Sequence, residues 1–368
     1  MDEETPALFK PIQVGTMRLQ HRVVLAPLTR NRANSRHAHT DMAVTYYSQR
    51  ATEPGTLLIS EAITIVPEAT GRPNVPGIWS EEQIAAWKRI TDAVHAKGSY
   101  IFAQLRAYGR TADPKILEAE GPFPLISASD VPLPDNDIPR PLTVAEIKQW
   151  VAWYAQAAKH AIQAGFDGVQ LHAANGYLVD QFNSDRSNKR NDEYGGSVEN
   201  RCRFVLEVMD AICAAVGDDR AAIRLSPWSN FQEMLMEDPT PTYTHIVQKL
   251  LERHPSLAFL DLVEPGAKGA GDGEALPDQS NDFIRAIWAP RPIVSAGLYT
   301  RETAIKTAEA KGDLIAFGRP FIGNPDLPRR LRKNLPLTVA ERSTYYAYED
   351  PHGYIDFPFA EDGGELPN

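Results

Sequence analysis

Eight short apolar runs recur along this chain, rich in β-branched residues and each followed by a helical pattern. They are Arg22–Leu25, Leu57–Glu61, Tyr100–Gln104, Gly168–His172, Ala222–Ser226, Phe259–Val263, Pro292–Ala296 and Leu314–Gly318. A strand that is apolar throughout, rather than at every second position, has to be covered on both faces, and the helices between the runs supply that cover. Eight such units within 368 residues predict an α/β fold, a TIM (β/α)8 barrel, more readily than an open sheet. The expected organisation is one barrel domain over residues 1–368, with an N-terminal β-hairpin. No internal repeat of sharp period and no domain linker is evident.

The helices carry their own start signals. Ser80 with Gln83, and Thr143 with Glu146, form capping boxes ahead of the apolar stripes Ile84/Trp87/Ile90/Val94 and Ile147/Trp150/Tyr154/Ala158. Ser197 is expected to open a helix carrying Phe204, Val208 and Ile212, and Thr300 another. The aromatic stripes read as core packing. Two stretches break the rhythm, the Pro-rich 106–142 after the third run and the Gly- and Asp-rich 264–285 after the sixth. Both follow strand C-termini, the face on which barrels build their sites, and are expected to wall a substrate pocket.

Composition narrows the function. A formal charge of −10 disfavours an electrostatic grip on nucleic acid or on an anionic membrane. No apolar run approaches the roughly 20 residues that span a bilayer. The two cysteines, Cys202 and Cys213, fall in one predicted helix, roughly 16 Å apart, too far for a disulfide. The acidic start MDEETPALFKPI has no secretory h-region, and the ending GGELPN is not a peroxisomal address. A reduced, cytoplasmic protein is the expectation, with a small molecule as its partner and either a monomer or a homodimer as its state.

The strongest chemical signal is HAANGYLVDQF, residues 172–182, at the end of the fourth run. A side chain there points into the barrel mouth. His172 and Asn175 can both donate hydrogen bonds into one spot, as an oxyanion-type site requires. Tyr177, a phenol with an ordinary pKa of about 10, can act as a general acid. A solitary H-x-x-N-x-Y reads more readily as a capped turn with a packed tyrosine. At the other side of the mouth, the seventh run ends Ser295-Ala296-Gly297 and the eighth Phe317-Gly318-Arg319, where barrels commonly bind phosphate. Glycine admits backbone N–H groups close to the anion and arginine adds a forked donor.

The segment HAANGYLVDQFNSDRSNKRNDEYGGSVENRCRFVLEV (172–208), with LFKPIQVG near the start and GYIDFP near the end, resembles the Old Yellow Enzyme family of FMN-dependent ene-reductases. Within it the chain is closest in pattern to the classical, 12-oxophytodienoate reductase-like branch, and the similarity covers almost the whole chain. The resemblance implies FMN as cofactor and NADPH, or NADH, as reductant. It implies that Pro27 and Thr29 lie under the flavin, the threonine hydroxyl reaching a ring carbonyl, and that Ala62 approaches with its backbone. It places Gln104 at the pyrimidine edge, Arg224 beside the position that becomes negative on reduction, and Gly297, Gly318 and Arg319 at the phosphate. His172 and Asn175 would hold the substrate carbonyl, Tyr177 would deliver a proton, and Tyr346 would line the pocket, although an aromatic there also serves packing.

The implied activity is reduction of the activated C=C bond of α,β-unsaturated carbonyl compounds, an NADPH dehydrogenase of ene-reductase type, in specialised metabolism. A redox-neutral flavin isomerase or cyclase, a flavin-free barrel lyase or hydrolase, and a non-catalytic binding barrel remain as alternatives. One departure stands out. The third run of this family normally ends Gln-Leu-Trp; here it reads Gln104-Leu105-Arg106. Arg106 is expected either to recognise an anionic or polar part of a substrate or to turn away onto a carboxylate of the following loop. No metal site is expected: His37 and His39 read as solvated loop histidines. The charged run 186–203 reads as a solvated, ion-paired loop.

Overall fold

The computed structural model describes residues 5–269 and 271–361. The acidic residues 1–4 and the ending GGELPN lie outside the described residues. Eight strands form the barrel: β1 (Val23–Leu25), β2 (Leu57–Ile59), β3 (Tyr100–Arg106), β4 (Gly168–His172), β5 (Ala221–Leu225), β6 (Phe259–Val263), β7 (Ile293–Ala296) and β8 (Leu314–Phe317). Each pairs in parallel with the next, and β8 pairs with β1 to close the ring. The expected barrel is the observed one, as is the hairpin (Ile12–Val14 with Met17–Leu19). Most strand ends differ from expectation by a residue or two. The strand β2 ends two residues before the expected Glu61, and β3 continues two residues past Gln104 and so carries Arg106 inside the sheet.

Alternation along each strand sorts the core into two shells. Outward residues such as Val23, Leu58, Ile101, Leu171, Ile223 and Leu260 pack beneath the helices. Inward residues, among them Val24, Leu57, Phe102, Ala222, Phe259, Val294 and Leu314, fill the barrel floor with Val14, Met17 and Leu19 of the hairpin. The hairpin is therefore the plug of the lower end. Towards the C-terminal ends the inward series changes character. On β1, β7 and β8 it ends in Ala26, Ala296 and Ala316, whereas on β3, β4 and β5 it ends in Gln104, His172 and Arg224. Half of the mouth is small and apolar, and the other half is polar.

Both capping boxes form as expected. Trp87, Trp150 and Tyr154 are buried in the core. Ser197 caps only a short helix, Val198–Arg201, and a second helix, Arg203–Val216, starts after a break at Cys202. The two cysteines are buried and free, but they do not share one helix. Residues 106–142 are more ordered than a loop: they contain a helix, Pro114–Glu120, and a short pairing of Ile126–Ser127 with Arg140–Pro141. Among the described residues, no helix is long and apolar enough to cross a membrane.

Candidate active site

The mouth opens into a cavity of about 1280 Å³. Pro27 and Thr29 after β1, Ala62 after β2, Gln104 and Arg106 of β3, and His172, Asn175 and Tyr177 at the end of β4 all line it. So do Arg224 of β5, Gly297 after β7, Gly318 and Arg319 after β8, and Tyr346. The fold thus brings every candidate residue to one space. Tyr108 and Thr111 line it from the segment after β3, and Ala267, Gly269 and Gly271 from the segment after β6, so both long connections contribute walls.

The polar half of the mouth is organised by a residue that the sequence reading passed over. Strand register sets Arg224 level with His172 on one side and Asp261 on the other. Asp261 Oδ2 accepts from Arg224 Nη1 at 2.6 Å and from Gln170 Nε2 at 2.9 Å. Because the carboxylate can only accept, Gln170 must turn its NH2 towards it and its oxygen away. That oxygen accepts from Gln104 Nε2 at 2.7 Å. The relay therefore fixes the polarity of Gln104, whose carbonyl oxygen and second N–H remain for a ligand edge that both donates and accepts. Asp261 is fully buried, and burial raises its pKa against the opposing pull of Arg224. The clue available in the sequence was an acid inside an otherwise apolar strand, FLDLV.

The turn after β4 places the three reactive candidates. Asn175 sits in the left-handed region at φ 58°, which asparagine tolerates better than most residues. Its backbone N–H donates to Ser226 Oγ at 2.8 Å, tying the ends of β4 and β5. The side-chain Oδ1 of Asn175 and Nδ1 of His172 are buried without a partner. Burial, then the Arg224 and Arg106 guanidiniums, hold His172 well below the usual imidazole range. It is a neutral ring, able to donate from one nitrogen. Tyr177 packs edge-on to His172 with ring centroids 4.8 Å apart and begins the helix Leu178–Asn183. Gln181 of that helix donates to the carbonyls of Gly176 and Tyr108, locking this turn to the segment after β3.

Asp180 secures the same turn: its carboxylate accepts from Gly176 N–H at 2.9 Å and from Tyr243 O–H at 3.2 Å. Burial pushes its pKa up to about 7 from an ordinary 3.8. The unfolded chain therefore releases this proton at lower pH than the folded one. Stability from the protonated group is present below the ordinary value and is lost as pH rises to about 7. Asp180→Asn keeps one acceptor for Gly176 and cannot ionise. It is expected to lose less stability than the parent between about pH 4 and about pH 7, by at most about 4 kcal/mol. Urea midpoints across that range check this; parallel curves for parent and variant would contradict it.

Arg106 does not turn away. It is 1% exposed, donates from Nη2 to Tyr108 O–H at 2.6 Å, and lies over the rings of Tyr108 and Tyr177. Two expectations are corrected. His37 and His39 are buried, not solvated: His37 bonds Val75 O and Glu120, and His39 lies 3.3 Å from Glu61. The 186–203 run is partly internal, because Arg190 pairs with Asp192 while donating to the carbonyls of Ala128 and Leu142. Cys213, Asp218 and His254 come within 4.8 Å, a grouping that their spacing in the chain does not reveal. His254 is already bonded there to Asp218 and Asp210.

The remaining wall is lashed down by two arginines that follow β1. Arg30 donates to the carbonyls of Tyr345 and Gly353, and Arg32 to those of Thr344, Tyr345, Asp350 and His352. Tyr345, Tyr346 and Tyr348 are thereby held against the cavity, Tyr346 at 44% exposure. Across the mouth, a Cβ on Gly297 (φ +148°) would crowd Ala267 and Glu264 at 3.2 and 3.3 Å, and one on Gly318 would meet Leu28 at 3.2 Å. FMN suits this donor set. Alanines leave room for a flat ring, Gln104 and Arg224 offer a polar edge, and two glycines and an arginine offer a phosphate cradle.

Residues 7–338 match the NADH:flavin oxidoreductase / NADH oxidase family. The chain is 47% identical to a chanoclavine-I aldehyde reductase of Penicillium roqueforti, covering 96% of each chain. It is 48% identical to an NADP-dependent oxidoreductase of Aspergillus flavus, covering 98% of each. The solved structure of the old yellow enzyme homologue from Zymomonas mobilis superposes with a TM-score of 0.89 at 39% identity, over 96% of this chain and 99% of that one. The barrel, the glycine-lined cradle and this breadth of similarity converge: the chain belongs to the NADH:flavin oxidoreductase family and is an FMN-dependent oxidoreductase of the Old Yellow Enzyme type.

Proposed function

We propose that this enzyme reduces the activated C=C bond of α,β-unsaturated carbonyl compounds, with NADPH as the electron donor. The observation that carries the reading is His172 Nδ1, buried and unpartnered, on a side chain that faces the same cavity as Asn175 and Tyr177. Unsatisfied buried groups are costly, and they persist where a ligand completes them. The preference for NADPH is supported by the NADP-dependent relative of Aspergillus flavus.

FMN, when bound, would supply the redox chemistry, hydride transfer from nicotinamide to the substrate's double bond. Thr29, Gln104 and Arg224 would hold its ring, with Pro27 and Ala62 beneath and beside it, and Gly297, Gly318 and Arg319 would hold its phosphate. His172 and Asn175 bind the substrate's carbonyl oxygen and stabilise the negative charge that grows there. Because His172 is neutral, it does so by donating a proton's hydrogen bond rather than by a net charge. Tyr177 gives a proton to the α-carbon. Pairing with Asp261 prevents Arg224 from swinging into the substrate space.

His172→Ala is expected to lower kcat/KM for an enone such as cyclohexenone by about 10²–10³, the scale of a lost oxyanion donor. It should also weaken the long-wavelength band that a phenol produces on the flavin. An unaltered kcat/KM would remove His172 from the reaction. A purified protein that takes up no flavin would end the reading altogether.

A further inference from the structure

We propose that Arg106 is an anion-binding residue of the substrate pocket, and that the compound reduced here carries a carboxylate in addition to its unsaturated carbonyl. This deepens the reading above and rests on it for the reacting group.

Arg106 ends β3, lines the cavity and is almost wholly buried. Other deeply buried arginines have carbonyls or a carboxylate as partners. Arg50 donates to three carbonyls and Arg32 to five, while Arg224 has Asp261. Arg106 has one neutral phenol oxygen, Tyr108 O–H, and its Nε is buried with no partner. Among the described residues, no carboxylate pairs with it. A buried guanidinium without a counter-charge is expensive, and here the missing partner faces an open cavity.

The surroundings select the partner's sign and shape. Arg72, Arg106, Arg224, Arg319 and Arg342 all line the cavity, and no aspartate or glutamate does so among the described residues. The guanidinium carbon lies 4.0 Å from the centroid of the Tyr108 ring and 4.8 Å from that of Tyr177. Contact with two aromatic rings restrains the guanidinium, whose forked N–H groups match a carboxylate in two-point contact. The Tyr177 ring is also 4.8 Å from the ring of His172. The carbonyl site and the anion site therefore flank one aromatic ring, and a single small molecule can reach both. Where the family pattern has an indole, this chain has a cation whose charge is left for the ligand to balance.

Acetylacrylate, a γ-keto enoate, and its uncharged amide test this on the FMN-loaded enzyme. Wild type should favour the acid in kcat/KM by about 10- to 100-fold, the range of a hydrogen bond to a charged group. Arg106→Gln should collapse that ratio, and Arg106→Lys should restore part of it. Flavin content and unfolding temperature report whether each variant is folded. The same titrations on the oxidised enzyme without reductant, followed by flavin absorbance, should show the preference in Kd. Equal use of acid and amide by wild type overturns the proposal whatever the variants do. So does a ratio preserved in folded Arg106→Gln. A raised KM for NADPH with an unchanged acid-to-amide ratio would move the anion to the reductant's phosphates and also overturn it. If wild type binds the acid tightly over the amide but reduces neither, the anion site stands and the ene-reductase reading falls.

Discussion

Tyr177→Phe is expected to slow enone reduction by about 10²–10⁴-fold, the range of a lost general acid, while sparing the bleaching of the flavin by NADPH. The substitution is a narrow one. Tyr177 contributes an edge-on contact to His172, another to Tyr108 at 5.5 Å, and a face to the Arg106 guanidinium. Phenylalanine retains all three, and the backbone carbonyl of residue 177 still accepts from Gln181 N–H at 2.9 Å. What disappears is one O–H. Stopped-flow measurement of the two half-reactions separates the outcomes. A slowdown confined to the oxidative half, with a reduced solvent isotope effect, is the expected result. Equal slowing of both halves would show that the ring, not the proton, is what matters.

Arg224→Leu is expected to cost about 3–5 kcal/mol of stability at neutral pH and to empty the flavin site, because it leaves Asp261 buried without its counter-ion. The Asp261 side chain has no exposure, one of its oxygens already lacks a partner, and the other accepts from Arg224 at 2.6 Å. Burial raises its pKa even with Arg224 present, and the loss of the cation must raise it further. The folded pKa then lies well above the unfolded one. The penalty is absent below the ordinary carboxylate range and grows as pH rises through the raised value. The deficit of the variant against the parent should accordingly shrink on acidification. Unfolding temperatures near pH 5 and near pH 7.5, with flavin bound per chain, check this. A deficit independent of pH would mean that Asp261 is not the group left stranded.

These two predictions draw on different depths of information. Tyr177 was identifiable from an eleven-residue stretch, because the strand end, the turn and the following helix are set by local spacing. Asp261 was not, although it governs Arg224 and, through Gln170, the orientation of Gln104. The three hydrogen bonds of this relay join residues 37, 91 and 66 positions apart along the chain. The histidines of the H-x-H pair were misjudged for the same reason. Nothing within a few residues of His39 announces that Trp87 and Glu61 will enclose it.

The amino-acid order by itself determined the eight-fold strand–helix alternation, the capping boxes, and the placement of His172, Asn175 and Tyr177 at a strand's mouth. All of these follow from periodicity and short-range geometry, which one stretch of chain carries within itself. The tertiary structure alone decided which charges are buried, which are paired, and that Arg106 stays in the pocket facing an unmatched space. A charge's environment is a sum over everything near it in space, in a medium of low dielectric, and neighbours across a closed barrel are remote along the chain.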